Sequence, residues 1–468
     1  MNNIINWLSK HRVTLLLILI ALAGFIYSKD DVTMAGNESS RMGTIQCLVD
    51  YGTFAIEKGV FKSLDRVIIN NHIYGDKPLL IQVLTAIPYW AISKVAGFTI
   101  EEYYHLPIFL LNYLCFYSLN LLMFWLFHKM ISEKLPDSSK SFLLFSAAAL
   151  IFSTMLFSYS VSINNHTPAA AATLILLFIL TRMEQYGALS GLTFLAGVTT
   201  GTLLNFEFIF GGVFGISTFW LIWISEKGAI RWRPAFFYAA GAFMMIALGA
   251  VINTIAHGTP VPLYSHTHGL GLNPLLFEYI YNSTFGFKGI FLYMPVLLFV
   301  FPAALKNRNR LKNFMLSSLA AVIVLYWFVT QEYGGCSFGF RYLIPVIPIA
   351  FYYIVLDLQN WQKNLKFALF IICIIWGIAV SQLGAYNPWC YSWEPHISGD
   401  QYAKFKNSFL GNFFCWSFEH YPESALTEWQ IKYYGFHSSG RFLMDSYMNA
   451  KKIDMFEPVL KRFPIPEE

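Results

Sequence analysis

The chain has 468 residues, of which 56% are hydrophobic, 18% aromatic and only 13% charged, and its mean hydropathy is +0.49. A soluble domain holds about 25% charged residues, so this composition excludes nucleic-acid binders, cytosolic nucleotide-fold enzymes and disordered scaffolds and reads as a polytopic membrane protein. The net charge of +5 is small, and its placement along the chain says more than its size.

A bilayer core takes roughly 20 apolar residues per helix. In chain order eleven runs meet that length, near 13–28, 104–128, 141–158, 167–181, 187–205, 207–225, 234–256, 289–305, 313–330, 342–358 and 366–386. The expected fold class is an all-α polytopic membrane protein. Its transmembrane domain covers 1–386, with a long loop at 29–103, and a small cap covers 387–468. The first run reads as an anchor because its apolar character continues through Tyr27, although Lys10, Arg12 and Ala21-Leu22-Ala23 also fit a signal peptide.

Lysine and arginine in short loops resist translocation. With the N-terminus in the cytoplasm, Lys10, Arg12, Lys129, Lys134, Lys140, Arg182, Lys227, Arg231, Arg233, Lys306, Arg308, Arg310, Lys312, Lys363 and Lys366 all lie inside, and only Lys288 and Arg341 fall in short outward loops. Carboxylates show the reverse bias, with Glu133, Asp137, Glu184, Glu226 and Asp357 inside and the rest outward or at that boundary. Both long segments, and so the C-terminus, are therefore expected outside a bacterial inner membrane. Any chemistry is expected there too. Residues 79–97 are apolar but contain Pro88, Lys94 and Gly97. A span there would invert every later loop, so they read as an interfacial helix with Tyr89 and Trp90 at headgroup level.

The loop 29–103 gathers Asp30, Asp31, Asn37, Glu38, Arg41, Asp50, Glu57, Asp65, Arg66, Asp76 and Lys77, which describes either a solvated loop or a site. Tyr74, Asp76 and Lys77 precede Pro78 at the opening of the interfacial helix, where proline is tolerated. An ion pair of Asp76 with Arg66 or Lys77 is the structural alternative. Arg341, in QEYGGCSFGFRYLIPVIP, runs against the charge bias and reads either as snorkelling to headgroups or as a permanently charged fork for a phosphate. Glu207 between two apolar runs is either an exposed hairpin tip or a buried acid that must be paired, protonated or facing a cavity.

His257, His266 and His268 share one loop, and the last two offer a pair of metal ligands without a third. His166, after Asn164-Asn165, is equally open. Cys47, Cys336, Cys390 and Cys415 are expected on the oxidising side, either with a Cys390–Cys415 bridge or reduced. A Walker loop, a serine elbow, an HExxH helix and a paired-cysteine site are all missing, so the energy for a reaction has to arrive on an activated substrate within the membrane.

These motifs, in this order, resemble the GT-C superfamily of integral membrane glycosyltransferases, in particular the branch of protein O-mannosyltransferases and lipid A aminoarabinose transferases. Those proteins begin with one helix and a long outward loop carrying an acidic pair. An interfacial helix opening Lys-Pro-Pro-Leu and a span beginning Arg-Tyr-Leu-x-Pro come later. Here Asn37-Glu38 stands at the pair, Asp76-Lys77-Pro78-Leu79 at the second motif and Arg341-Tyr342-Leu343-Ile344-Pro345 at the third. Asn37 replaces the first acid and Leu79 the second proline.

The resemblance implies a polyprenyl-phosphate sugar donor, an acceptor hydroxyl on a lipid, glycan or protein, and one inverting displacement. It makes Glu38 the expected general base, with Asp65 or Asp76 as substitutes, and makes Arg341, Lys77 and Arg41 the ligands of the donor phosphate. Asn37, Tyr74, Glu207, His266 and His268 are expected around the substrates. No cofactor is firmly implied, and a divalent metal stays open. Membrane lipids are expected partners, and nucleic acid is not. The rival readings are a lipid flippase or transporter, a glycan ligase or polymerase on a diphosphate carrier, and a scaffold working through its tail. The first needs charges near the midplane, where these runs have almost none.

Overall fold

The computed structural model describes residues 11–389 apart from 33–35, 64, 225–227, 264–272, 307, 331–332, 335–336 and 359–364, together with 413 and 416. His266, His268, Cys336, Cys390, Cys415 and nearly all of the expected cap lie outside the described residues.

Lipid offers no partners to backbone groups, so a spanning segment must close its hydrogen bonds within a helix. Each of the eleven apolar runs contains helix. In chain order the elements are α1 (Arg12–Tyr27), α2 (Asn37–Tyr51), the strands β1 (Arg66–Ile69) and β2 (His72–Gly75), α3 (Leu79–Trp90), α4 (His105–Lys134), α5 (Lys140–Phe152), α6 (Met155–Ser160), α7 (His166–Tyr186), α8 (Ser190–Phe206), α9 (Phe208–Trp223), α10 (Trp232–His257), α11 (Leu276–Thr284), α12 (Ile290–Tyr293), α13 (Pro295–Leu305), α14 (Arg310–Val329), α15 (Arg341–Leu358) and α16 (Leu365–Tyr386). Among the described residues six of these, α4, α7, α10, α14, α15 and α16, are long and apolar enough to cross a membrane as single helices. The protein is an integral, multi-pass, all-α membrane protein with one small hairpin among the described residues.

Two expected spans are broken. The run 141–158 stops at Ser153-Thr154, whose hydroxyls donate back to Ala149 O at 2.6 Å and Leu150 O at 2.7 Å, a pattern that bends helices. Thr154 then caps α6 by accepting from Leu156 N. The Phe152 carbonyl freed by the break accepts from Ser381 of α16. The run 289–305 is likewise divided at Met294-Pro295. Elsewhere close contact replaces side-chain volume: a Cβ on Gly197 of α8 would run into the Tyr238 carbonyl of α10, and one on Gly241 into the Phe194 carbonyl. Small residues at such a crossing are how membrane helices approach.

The helices present two chemically different ends. At one end lie Arg182 with Glu133 at 2.7 Å, Lys134 with Glu184 at 3.6 Å, Lys306 with Asp357 at 3.4 Å and Arg12 with Ser141 at 3.1 Å. At the opposite ends of α7 and α15 stand His166 and Arg341, and against them pack the residues of the first long loop.

That loop is more built than an interfacial helix alone. It contains α2 and the β1–β2 hairpin, whose register pairs Arg66 with Gly75 and Ile69 with His72. Asn70 and Asn71 form its turn at φ values of 50° and 66°, the left-handed pair that such a two-residue turn requires. Gly75 packs so closely on Ser40 of α2 that a Cβ there would lie 2.5 Å from the Ser40 hydroxyl. This contact sets the Asp76-Lys77 pair beside the first turn of α2. Trp389, expected in the cap, is fully buried in the helical body, where its indole N–H donates to Ser162 Oγ at 3.1 Å.

Candidate active site

The first turn of α2 carries the acids and bases of the first motif inward. Gly36 precedes it at φ 64°, and a Cβ there would lie 2.7 Å from the Asp65 carboxyl carbon, so only glycine lets Asp65 approach the helix start this closely. Glu38 in that turn complements the helix dipole. It is 1% exposed, so of the two readings open for the loop acids the solvated one does not hold for Glu38.

Arg41, one turn later, is also buried. It donates to the backbone oxygen of Asn37 at 3.2 Å, to the Asn37 side-chain oxygen, and to Asn165 Oδ1 at 2.5 Å. Its Nε has no hydrogen-bond partner among the described residues. Burial, followed by the nearby Arg341 charge, pushes the Arg41 guanidinium down to about 10, while Asp76, Asp65 and Glu207 pull it back up. These five charges share one electrostatic neighbourhood.

Lys77 sits between two carboxylates, 2.8 Å from Asp65 and 3.1 Å from Asp76, with Lys77 and Asp76 both buried. Of the two structural partners open for Asp76, the pair forms with Lys77, and Arg66 is exposed on β1. Tyr74 precedes this cluster on β2 and meets His257, at the end of α10, edge to face at 5.1 Å.

Glu207 is not an exposed tip. It is 7% exposed at the junction of α8 and α9, accepts from Asn165 Nδ2 at 2.6 Å and lies at ion-pair distance from His166 Nδ1. Asn164 sets this geometry by accepting from Thr167 N at 2.7 Å and capping the start of α7. Asn165 therefore links Arg41 to Glu207, and Glu207 holds His166.

Arg341 is buried rather than snorkelling. Its guanidinium lies 5.1 Å from the Trp389 ring and 5.6 Å from the Tyr342 ring, contacts that favour a delocalised planar cation. Tyr342 faces His166 at 6.4 Å, His166 faces Tyr159 at 5.8 Å and Tyr159 faces Trp389 at 5.4 Å. Arg341, Tyr342, His166, Tyr159 and Trp389 thus form a closed circuit of neighbouring side chains that holds the guanidinium and the imidazole in one cluster.

Lys288 was not singled out from the sequence as a site residue, yet it is fully buried and donates to Ser337 O at 2.5 Å and Ser337 Oγ at 3.0 Å. The signal was available: with Arg341 it breaks the charge bias of the short outward loops. Cys47 is buried and free, and burial pushes its thiol up to about 11. Among the described residues no three His, Cys, Asp or Glu side chains are grouped to hold a metal ion. A cavity of about 520 Å³ lined by Arg308, Arg310 and Phe314 lies at the other end of the helices and takes no part in the cluster.

The structure therefore brings Asn37, Glu38, Arg41, Asp65, Asp76, Lys77, Glu207 and Arg341 to one end of the helical body, joined by Asn165, His166 and Trp389. No family model matches the chain, and no curated protein matches it. Among solved structures it is similar to the crystal structure of ArnT from Cupriavidus metallidurans bound to undecaprenyl phosphate, with a TM-score of 0.54 and 14% sequence identity over 98% of this chain and 82% of that one. The chain shares the polytopic helical fold of that protein.

Proposed function

We propose that the protein is a GT-C-type membrane glycosyltransferase that moves a sugar from a polyprenyl phosphate to an acceptor hydroxyl. The observation that carries this reading is the convergence of the buried guanidiniums of Arg41 and Arg341, with the buried Glu38 three residues before Arg41 on α2, in a fold shared with a protein crystallised with undecaprenyl phosphate. The acceptor oxygen attacks the anomeric carbon while Glu38 takes its proton. The bond from that carbon to the phosphate oxygen breaks, and the two guanidiniums stabilise the electron pair left on the phosphate. Arg41 suits this task because amide oxygens, not a carboxylate, hold it. Asp65 and Asp76 are weaker candidates for the base, since both share Lys77, and Lys77 is a weaker phosphate ligand for the same reason.

The site faces outward in this reading, with the N-terminus cytoplasmic and the C-terminus outside. Support comes from the basic residues at the opposite end of the helices. A reporter fused after Glu468 is expected to be active only outside the cytoplasm, and cytoplasmic activity would overturn this orientation.

The activity is tested with purified protein, a panel of polyprenyl-phosphate sugars and candidate acceptors. One donor should give a glycosylated acceptor and free polyprenyl phosphate. Turnover of diphosphate-linked glycans alone would move the protein to the ligase or polymerase class.

A further inference from the structure

His166 is 2% exposed, and its Nε2 has no hydrogen-bond partner among the described residues. Glu207 lies against Nδ1, Tyr159 and Tyr342 flank the ring, and the charges of Glu207, Arg341 and Arg41 act on it. Arg41 is in turn influenced by Asp76 and Asp65. A buried polar nitrogen without a protein partner calls for one from outside the chain, and this one feels the charges of the two cations assigned above to the carrier phosphate.

Resting on the transferase reading, we infer that His166 is a third ligand of the carrier phosphate, one that carries a proton when the free phosphate is bound, with Glu207 as its positioning residue. The chemistry supplies the reason. In the donor the phosphate is a diester with a single negative charge. When the sugar leaves with the acceptor oxygen, the electron pair of the broken bond stays on the phosphate and creates a second charge, whose protonation falls near pH 6. A proton on His166 Nε2 sits against that second charge, and Glu207 against Nδ1 stabilises the imidazolium. The proton of the acceptor hydroxyl goes to Glu38 and is not the one held by His166. Two guanidiniums make an imidazolium unfavourable in the empty site, so uptake of the proton is coupled to the anion.

The test is calorimetric titration of the full-length protein with undecaprenyl phosphate, in buffers of different ionisation enthalpy between pH 6 and 8. The number of protons taken up follows from the buffer dependence of the heat. Wild type should take up more protons per carrier bound than His166→Gln, and should bind about tenfold more tightly at pH 6, with the gap closing toward pH 8. The phosphate's own titration is common to both proteins, so the difference isolates the imidazole. Glu207→Gln should lose most of the extra uptake, and His166→Asn makes the same comparison if the glutamine variant does not fold. Equal proton uptake and affinity in wild type and the His166 variant would overturn the assignment alone. A wild type that binds no undecaprenyl phosphate would overturn the transferase reading and this assignment with it.

Discussion

Arg41 and Asn165 meet at 2.5 Å although they are separated by 124 positions in sequence. This bond ties the first long loop to the start of α7, and the other end of the same amide reaches Glu207. Replacing Asn165 by Ala leaves a buried guanidinium and a buried carboxylate each short of a partner. The expected loss is about 1–3 kcal/mol of stability, read as a lowered thermal midpoint in detergent. An unchanged midpoint would mean that this bond does not hold the loop.

Lys77 is expected to be structural first. Lys77→Met leaves Asp65 and Asp76 facing each other without the ammonium, which should destabilise by about 2–5 kcal/mol. Adding Asp76→Asn should recover part of that loss, and a double-mutant cycle measures the coupling. Strict additivity of the two substitutions would show that the pair seen here contributes nothing.

Glu38→Gln keeps shape and hydrogen-bonding capacity while removing the base. Turnover should fall by roughly two to four orders of magnitude with donor binding nearly intact. Full turnover by this variant would pass the role to Asp65 or Asp76, and activity retained after all three replacements would end the transferase reading.

Arg341 separates a phosphate ligand from a generic cation. Arg341→Lys supplies charge without the planar fork, so carrier affinity should fall by about 1.5–3 kcal/mol, or about one to two orders of magnitude, and Arg341→Ala should be worse. The measurement is a lipid-phosphate titration on protein that elutes as wild type. Equal binding by all three proteins would remove Arg341 from the site.

The spans were legible because lipid leaves a peptide few options: an apolar run long enough to cross must be helical. What failed to show was where a run breaks, since Ser153-Thr154 looks like any other pair until the Ser381 hydroxyl is seen to donate to the stranded carbonyl of Phe152. The helix α2 was hidden for a different reason. Its buried positions include Asn37, Glu38, Ser40, Arg41, Thr44 and Gln46, so no apolar periodicity marks it, and its partners lie far away in sequence. The hairpin was readable and overlooked: Val67-Ile68-Ile69 and Ile73-Tyr74 flank Asn70-Asn71 in the manner of a two-residue turn. For Glu207 the two alternatives were real, and they were decided by Asn165 and His166, which no local pattern places beside it.

Trp389 limits how far the chain can be shortened from its C-terminal side without opening the cluster. A truncation drawn at Tyr386, where the last hydrophobic run ends, would strip the indole from beneath the Arg341 guanidinium and leave Tyr159 and Ser162 facing a hole. Any displacement of Trp389 is thus felt by the residue that carries the charge.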